Sequence, residues 1–580
     1  MGIMKFCRPY LFQKRITLLM FISLSFIGSL INVIAPYIMG DFIDELVSGA
    51  NQSDIIRFCI VFCGINAFKV FKDYITSIMY TKMQVKMGYT LNLDVIKHIQ
   101  RLSISFFNQQ DEAYLNQKIN GDCYALITFC LTTLRDLIAN VALFIIPFIV
   151  LFLLNKAMLL IFLFIMVIYV IIYNAMKKSV YNAGLKYRES LAVFFASLFE
   201  QIKNILHIKI DSVQVEFNKR TEESFNYYHE TAIKSQRINF LYSGLDGIVA
   251  MIAQVVLFVV GGMLVIRGKF TVGTFTIFSS YFRTMLSSCR YFFGLAAAYQ
   301  TATVSLDRIK GILNCPEESN GKTKLQEINT IAMKNVHFSY KTHDYLQKSM
   351  RTNSQNEYTK SVSSVESEVD SDMIKIDYHM FCKGNMYAII GENGAGKTTL
   401  TKLLIGLYND ERMGQINYNN ISISDVDLVH ARRVLVGYAK QYPSLVEDSI
   451  YYNLTYQNLS ENVNDYSNMQ PKEYDKLEQL AEILNMGEFI KNKTLAFRIN
   501  ENGTNLSGGE KQKIAILKLL YKNPDVMIFD EPTVALDQET KDRFLQYLLK
   551  IKDKKIIIVV THDDEVIACC DYIVEMPEIV

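Results

Sequence analysis

Gly391-Glu392-Asn393-Gly394-Ala395-Gly396-Lys397-Thr398-Thr399 follows the apolar run Met386–Ile390 and opens onto a helix-forming segment, Thr399 to Leu407. It fits the spacing G-x-x-x-x-G-K-[ST] through Gly391, Gly396, Lys397 and Thr398. The glycines let successive backbone N–H groups wrap a phosphate, and the helix N-terminus adds positive partial charge. Lys397 is then placed to reach β- and γ-phosphates, and the Thr398 hydroxyl to ligate Mg²⁺. A chance glycine turn has the same letters, but a strand before it and a helix after it argue against that reading.

Two further stretches point to the same chemistry. Downstream, the apolar run Val526–Phe529 ends in Asp530, Glu531 and Pro532. An aspartate at a strand end suits Mg²⁺ binding through water or through another ligand, and the glutamate beside it is placed to polarise an attacking water as general base. Between the two lies Leu506-Ser507-Gly508-Gly509-Glu510, followed by a helical run from Lys511 to Tyr521. A serine, two glycines and a helix start make a second anion cradle. One nucleotide is not easily held by both cradles of one chain. A dimer, most simply a homodimer, in which each cradle closes on the partner's nucleotide resolves this.

LSGGE before a strand-end DE, with the phosphate loop upstream, resembles the nucleotide-binding domain of ABC transporters, in family order over about 331–580. The resemblance implies ATP and Mg²⁺ at residues 391–399, with Leu506–Glu510 acting in trans. It further implies that Tyr340 stacks adenine, with Tyr345 as a possible substitute. Gln441 would contact Mg²⁺, Val534–Asp537 would form the loop crossing the dimer interface, and His562 would touch the γ-phosphate. Val534 departs from the commoner serine, and residues 341–372 lengthen the stretch after Tyr340.

The first half is of a different kind. Half of all residues are hydrophobic while a fifth are charged, which suits an apolar half joined to a polar one. The net charge of +2 offers no basic field for nucleic acid, and the ten scattered cysteines lack metal-ligand spacing. Residues 16–38, 137–155, 157–175 and 247–266 are uncharged, and about 20 apolar residues span a hydrocarbon core. These runs exclude a soluble ATPase acting on DNA or ribosomes. Two weaker segments complete an expected six spans: 58–81, interrupted by Lys69, Lys72 and Asp73, and 270–300, interrupted by Arg283 and Arg290.

Loop 39–54 holds four acids and no Lys or Arg, whereas Lys5, Arg8, Lys14 and Arg15 crowd the N-terminus and segments 82–128 and 177–240 are rich in Lys and Arg. Both termini and the ATPase domain are therefore expected in the cytoplasm, with the chain multi-pass in the cell membrane. Arg57, Arg267 and Lys269 run against the rule. The expected fold class is an α-helical membrane domain (1–310), a linker (311–330) and an α/β phosphate-loop ATPase domain (331–580). The polar, Ser-rich stretch 341–372 is expected to be a disordered surface insertion.

This plan is similar to that of half-size bacterial exporters, most of all those of peptides and bacteriocins, which implies coupling helices near 106–125 and 200–215. The expected activity is ATP-driven export of a peptide by alternating access; the alternatives are a lipid or amphipathic-drug exporter and an importer of a chelated metal. An ATP-gated channel is a further reading. Arg283 and Arg290 are seven residues apart and so share a helix face. An arginine facing lipid at mid-membrane costs about 2.5–3.5 kcal/mol, so both are expected to face a substrate cavity, with Lys69, and to favour an anionic group. The competing reading has Arg290 reaching the headgroups and Arg283 paired with an acid.

Overall fold

The computed structural model describes residues 2–108, 112–340, 374–457 and 471–576. The segment expected as an insertion, 341–372, lies outside them, and Tyr345 with it. The chain folds as two compact units, Met1–Lys97 with Ala113–Leu313, and His98–Glu112 with Asn314–Val580.

The first unit is helical: α1 (Gly2–Leu11), α2 (Arg15–Val47), α3 (Gln52–Ile99), α5 (Glu112–Leu154), α6 (Lys156–Lys203), α7 (Ile205–Asp211), α8 (Gln214–Ile266) and α9 (Val272–Leu313), while α4 (Ile104–Asn108) belongs to the second unit. Helices satisfy every backbone group internally, which a lipid environment requires. Among the described residues, four helical stretches are long and apolar enough to cross a membrane, Gly2–Val47, Ile119–Leu154, Leu159–Lys203 and Gln214–Ile266. Each overlaps one of the uncharged runs. The two charge-interrupted segments lie on α3 and α9, of 48 and 42 residues; at 1.5 Å per residue α3 is about 72 Å long, more than twice a hydrocarbon core.

The packed centre of this unit joins α2, α5, α6, α8 and α9, with Leu151, Phe162, Phe278 and Met285 fully buried in it. Phe162 meets Phe282 edge-on at 5.1 Å between centroids. The one polar group that Tyr281 brings into this apolar packing is satisfied, because its hydroxyl donates to the Val33 carbonyl at 2.7 Å.

The second unit holds two sheets. One is antiparallel, in the order β2 (Ile374–Cys382), β1 (Thr330–Phe338), β4 (Met413–Tyr418), β5 (Ile421–Ser422). The other is parallel, in the order β6 (Val436–Ala439), β7 (Val526–Asp530), β8 (Ile556–Val560), β3 (Met386–Ile390), β9 (Tyr572–Glu575). The alternation of β-rich runs and helical stretches from 331 onward points to a parallel α/β domain; the structure instead puts the first of those runs, as β1, in the antiparallel sheet. The reason lies in its surroundings: β1 pairs with β2 and β4 on either side, whereas β7, apolar up to its terminal Asp530, and β8 are wholly buried, their alternate residues packing in one core with Leu400 and Leu403 and in another with Ile514 and Leu517, all on helices.

The short helix α4 packs within this unit. Phe106 is buried, Ile104 joins the domain core, Asn108 donates to the Tyr408 hydroxyl at 3.1 Å, and Ser105 hydrogen-bonds Glu411. It touches only the start of the range expected for a coupling helix, whereas α7 falls inside the second such range and leaves Ile205, Leu206 and Ile210 exposed.

Candidate nucleotide site

Strand β3 ends at Ile390 and α10 (Lys397–Leu404) begins seven residues later, so the glycine-rich loop must reverse direction within one short turn. Gly396 makes this possible. It caps α10 at φ 84°, a left-handed conformation that costs a side chain about 1–2 kcal/mol. The turn delivers Lys397 into a nearly buried position, where all three ammonium donors are used. They reach the carbonyls of Gly391 at 2.5 Å and Glu392 at 3.0 Å, and Nε2 of His562 at 2.8 Å. His562 follows β8, the neighbour of β3, and so stands beside the loop although 165 residues separate it from Lys397.

Asp530 ends β7 and is 4% exposed. One of its oxygens accepts from Thr398 at 3.2 Å and from the Tyr438 hydroxyl at 2.8 Å. Burial, and the charge of Asp530 beside it, push the Tyr438 phenol well above its ordinary range, so it stays a donor. Glu531 carries φ 47°, uncommon for a residue with a side chain and worth about 1–3 kcal/mol of strain. Two bonds hold it there: its N–H donates to the Val560 carbonyl at 2.8 Å, and its carbonyl accepts from Gln512 at 2.6 Å. Its carboxylate is thereby turned to Gln441, whose amide donates to it at 2.5 Å.

Tyr340 lies against the same loop. Its hydroxyl shares a hydrogen bond with Thr399 at 2.8 Å, and its ring is held edge-on by Phe338 and Tyr408. At 45% exposure it leaves a ring face open to solvent. The exposed residues Glu392, Asn393 and Gly394 form the outer rim of the loop, over buried Ala395.

The second cradle is built on α11 (Gly508–Lys522). Ser507 and Glu510 form a reciprocal capping box: the Ser507 N–H donates to the Glu510 carboxylate at 2.7 Å and the Glu510 N–H to the Ser507 hydroxyl at 3.2 Å. Gly508 and Gly509 open the helix, and Leu506 is buried behind it. Asp537 caps α12 (Gln538–Ile551) through Thr540, whose N–H and hydroxyl hold its carboxyl far below the usual carboxylate range. Val534 in the same loop is 71% exposed.

The residues match two family models, "ABC transporter transmembrane region" over 18–289 and "ABC transporter" over 378–534. The chain belongs to the ABC transporter family. It joins a membrane half and an ATP-hydrolysing half in the manner of a half-size exporter. This ABC transporter is 24% identical to the lactococcin-G-processing and transport ATP-binding protein LagD of Lactococcus lactis subsp. lactis, over 94% of its own length and 73% of the relative's. It is 23% identical to the ATP-dependent lipid A-core flippase of Haemophilus influenzae, over 91% and 84%. A bacterial Atm1-family ABC exporter solved with ATP bound shares its fold, with TM-score 0.79 over 97% of this chain and 93% of that one at 19% identity.

Two residues that brace the candidate site escape a reading of the sequence. Tyr438 is hidden in a four-residue strand where a tyrosine looks like packing, and Gln512 looks like an ordinary helix residue. Only the spacing from Ser507, which returns Gln512 to the inner face of α11, hints at it.

The membrane half places the expected substrate cations unequally. Arg290 is engaged by both oxygens of Asp246, each at 3.0 Å, so it does not present a free charge. Lys69 donates to Asn32 at 2.7 Å, and Arg283 is exposed on α9. Lys72, noticed in sequence only as an interruption, is the buried one. It pairs with Asp73 at 2.6 Å and lies over Gly28, where a Cβ would stand 2.1 Å from its nitrogen and push the end of its chain aside. Both line a cavity of about 270 Å³ with Arg135 and Asp136.

Proposed function

We propose that this exporter works as a homodimer that moves a peptide out across the cell membrane, with six spans and with both termini and the ATPase unit in the cytoplasm. The similarity along nearly the whole chain to a protein named for lactococcin transport carries the peptide reading. Each ATP lies between residues 391–399 of one protomer and Leu506–Glu510 of the other, with Asp537 at the same interface and adenine against the open face of Tyr340. Binding exchanges the carbonyls that now satisfy Lys397 for phosphate oxygens.

The donor set Thr398, Asp530 and Gln441 fits a hard, oxygen-seeking cation: the hydroxyl meets the buried carboxylate, and the amide bonds Glu531 through its nitrogen, which leaves its oxygen for a metal. A Mg²⁺ held there would neutralise the phosphate charge. Glu531 orients the attacking water and takes its proton, and His562 steadies the γ-phosphate from the side of β8. Dimer closure and reopening then drive alternating access through the long helices.

Arg283 is the cation best placed to read an anionic cargo group, since Arg290 is neutralised by Asp246. ATPase activity of the purified protein is expected to rise with an amphipathic peptide bearing a free C-terminal carboxylate and less with its amide. Arg283→Gln is expected to erase that difference while basal ATPase stays unchanged. Equal discrimination by wild type and variant would remove Arg283 from the cargo path. Export of a lipid is the second reading, favoured by the similarity to a lipid A-core flippase; it predicts stimulation by lipid and none by peptide.

A further inference from the structure

The N-terminal helix α1 buries one side, Ile3, Cys7 and Leu11, and turns Lys5 and Arg8 outward. Arg15, the first residue of α2, stands with them around a cavity of about 630 Å³. The Arg8 guanidinium lies 5.8 Å from the centre of the Phe12 ring, which holds it over the same opening. An adjoining groove of about 430 Å³ shares Lys5, Arg8 and Arg15 and continues along α2 between Leu18, Leu19, Ile22 and Leu134. The charged residues lining either space are these three cations, with no carboxylate among them. The chain itself has no acid before Asp41.

We propose that this corner is a binding site for an anionic phospholipid of the inner leaflet. Three cations in spaces that no carboxylate lines, among the described residues, call for an anion. The apolar groove, which runs into the uncharged stretch 16–38, calls for an acyl chain attached to it. A zwitterionic headgroup would bring its own ammonium against the same three cations, so the site discriminates by charge. A free phosphate has no use for the groove, and a nucleic acid has no use for a groove that enters the hydrocarbon. The site rests on the membrane reading of α2 and on the cytoplasmic N-terminus proposed above, not on the nature of the cargo.

Native mass spectrometry of the full-length protein with phosphatidylglycerol and phosphatidylcholine of matched acyl chains tests it. Each basic residue near a charged lipid contributes about fivefold to affinity, so the three together give about a hundredfold preference. Wild type is expected to retain phosphatidylglycerol in strong excess, and Lys5→Gln/Arg8→Gln/Arg15→Gln to bind the two lipids equally. The charge-conserving set Lys5→Arg/Arg8→Lys/Arg15→Lys should keep the preference, and unaltered basal ATPase in each variant shows that it folds. Ile22→Ser should weaken both lipids without changing their ratio. The proposal is overturned if the glutamine variant keeps the full preference. It is equally overturned if glycerol 3-phosphate, which has no acyl chains, displaces phosphatidylglycerol at equal concentration, since the corner would then be a free-anion site.

Discussion

Glu531→Gln is expected to bind ATP as the wild type does while hydrolysing it about 10²–10⁴-fold more slowly, the usual contribution of a general base. The substitution keeps the size of the side chain, and the bonds that hold residue 531 at its strained φ run through its backbone, to Val560 and Gln512. The strain therefore persists, and only the carboxylate's ability to take a proton is lost. Gln441 can still hydrogen-bond the new amide oxygen, so the neighbouring geometry has no reason to collapse. Equilibrium ATP binding and steady-state phosphate release, measured on the same preparation, separate the two properties. Turnover near the wild-type rate would mean that another group activates the water.

Two inactive chains are expected to regain activity when mixed, if one carries Lys397→Ala and the other Ser507→Arg. Lys397→Ala removes the ammonium whose three donors converge on the loop, and Ser507→Arg removes the helix cap and fills the second cradle. Each variant alone puts one defect into both composite sites of a twofold dimer. A mixed dimer instead gathers both defects in one site and leaves the other intact, so activity returns to at most about a quarter of the wild-type sites. Phosphate release before and after exchange of the two proteins measures it. No recovery, with mixed dimers demonstrated by crosslinking, would contradict a site shared between Lys397 of one protomer and Ser507 of the other.

The phosphate loop, the strand-end acids and the second cradle were legible in the sequence because each is local. Glycines with left-handed backbone, a cap and the first turn of a helix fit within about ten residues, and their chemistry depends little on the rest of the fold. The four uncharged runs were legible for a similar reason, since lipid imposes one composition over a whole span. What the sequence concealed is contact across the fold. The partner of Arg290 lies on α8, 44 residues away, and nothing at Asp246 marks it. Lys72 is buried against Gly28 of α2, and the match between two helices cannot be read from either one. The antiparallel pairing of β1 was hidden likewise, because an alternating β-rich run carries no record of its neighbours' direction.

ATP-driven transport itself is tested most directly in sealed proteoliposomes with the ATPase unit facing outward, an amphipathic peptide with a free C-terminal carboxylate as cargo, and ATP supplied outside. The account predicts that the peptide accumulates inside against its gradient, that accumulation stops in Glu531→Gln, and that ATP opens no ionic conductance. A steady ATP-dependent conductance without accumulation, or accumulation undiminished in Glu531→Gln, would contradict it.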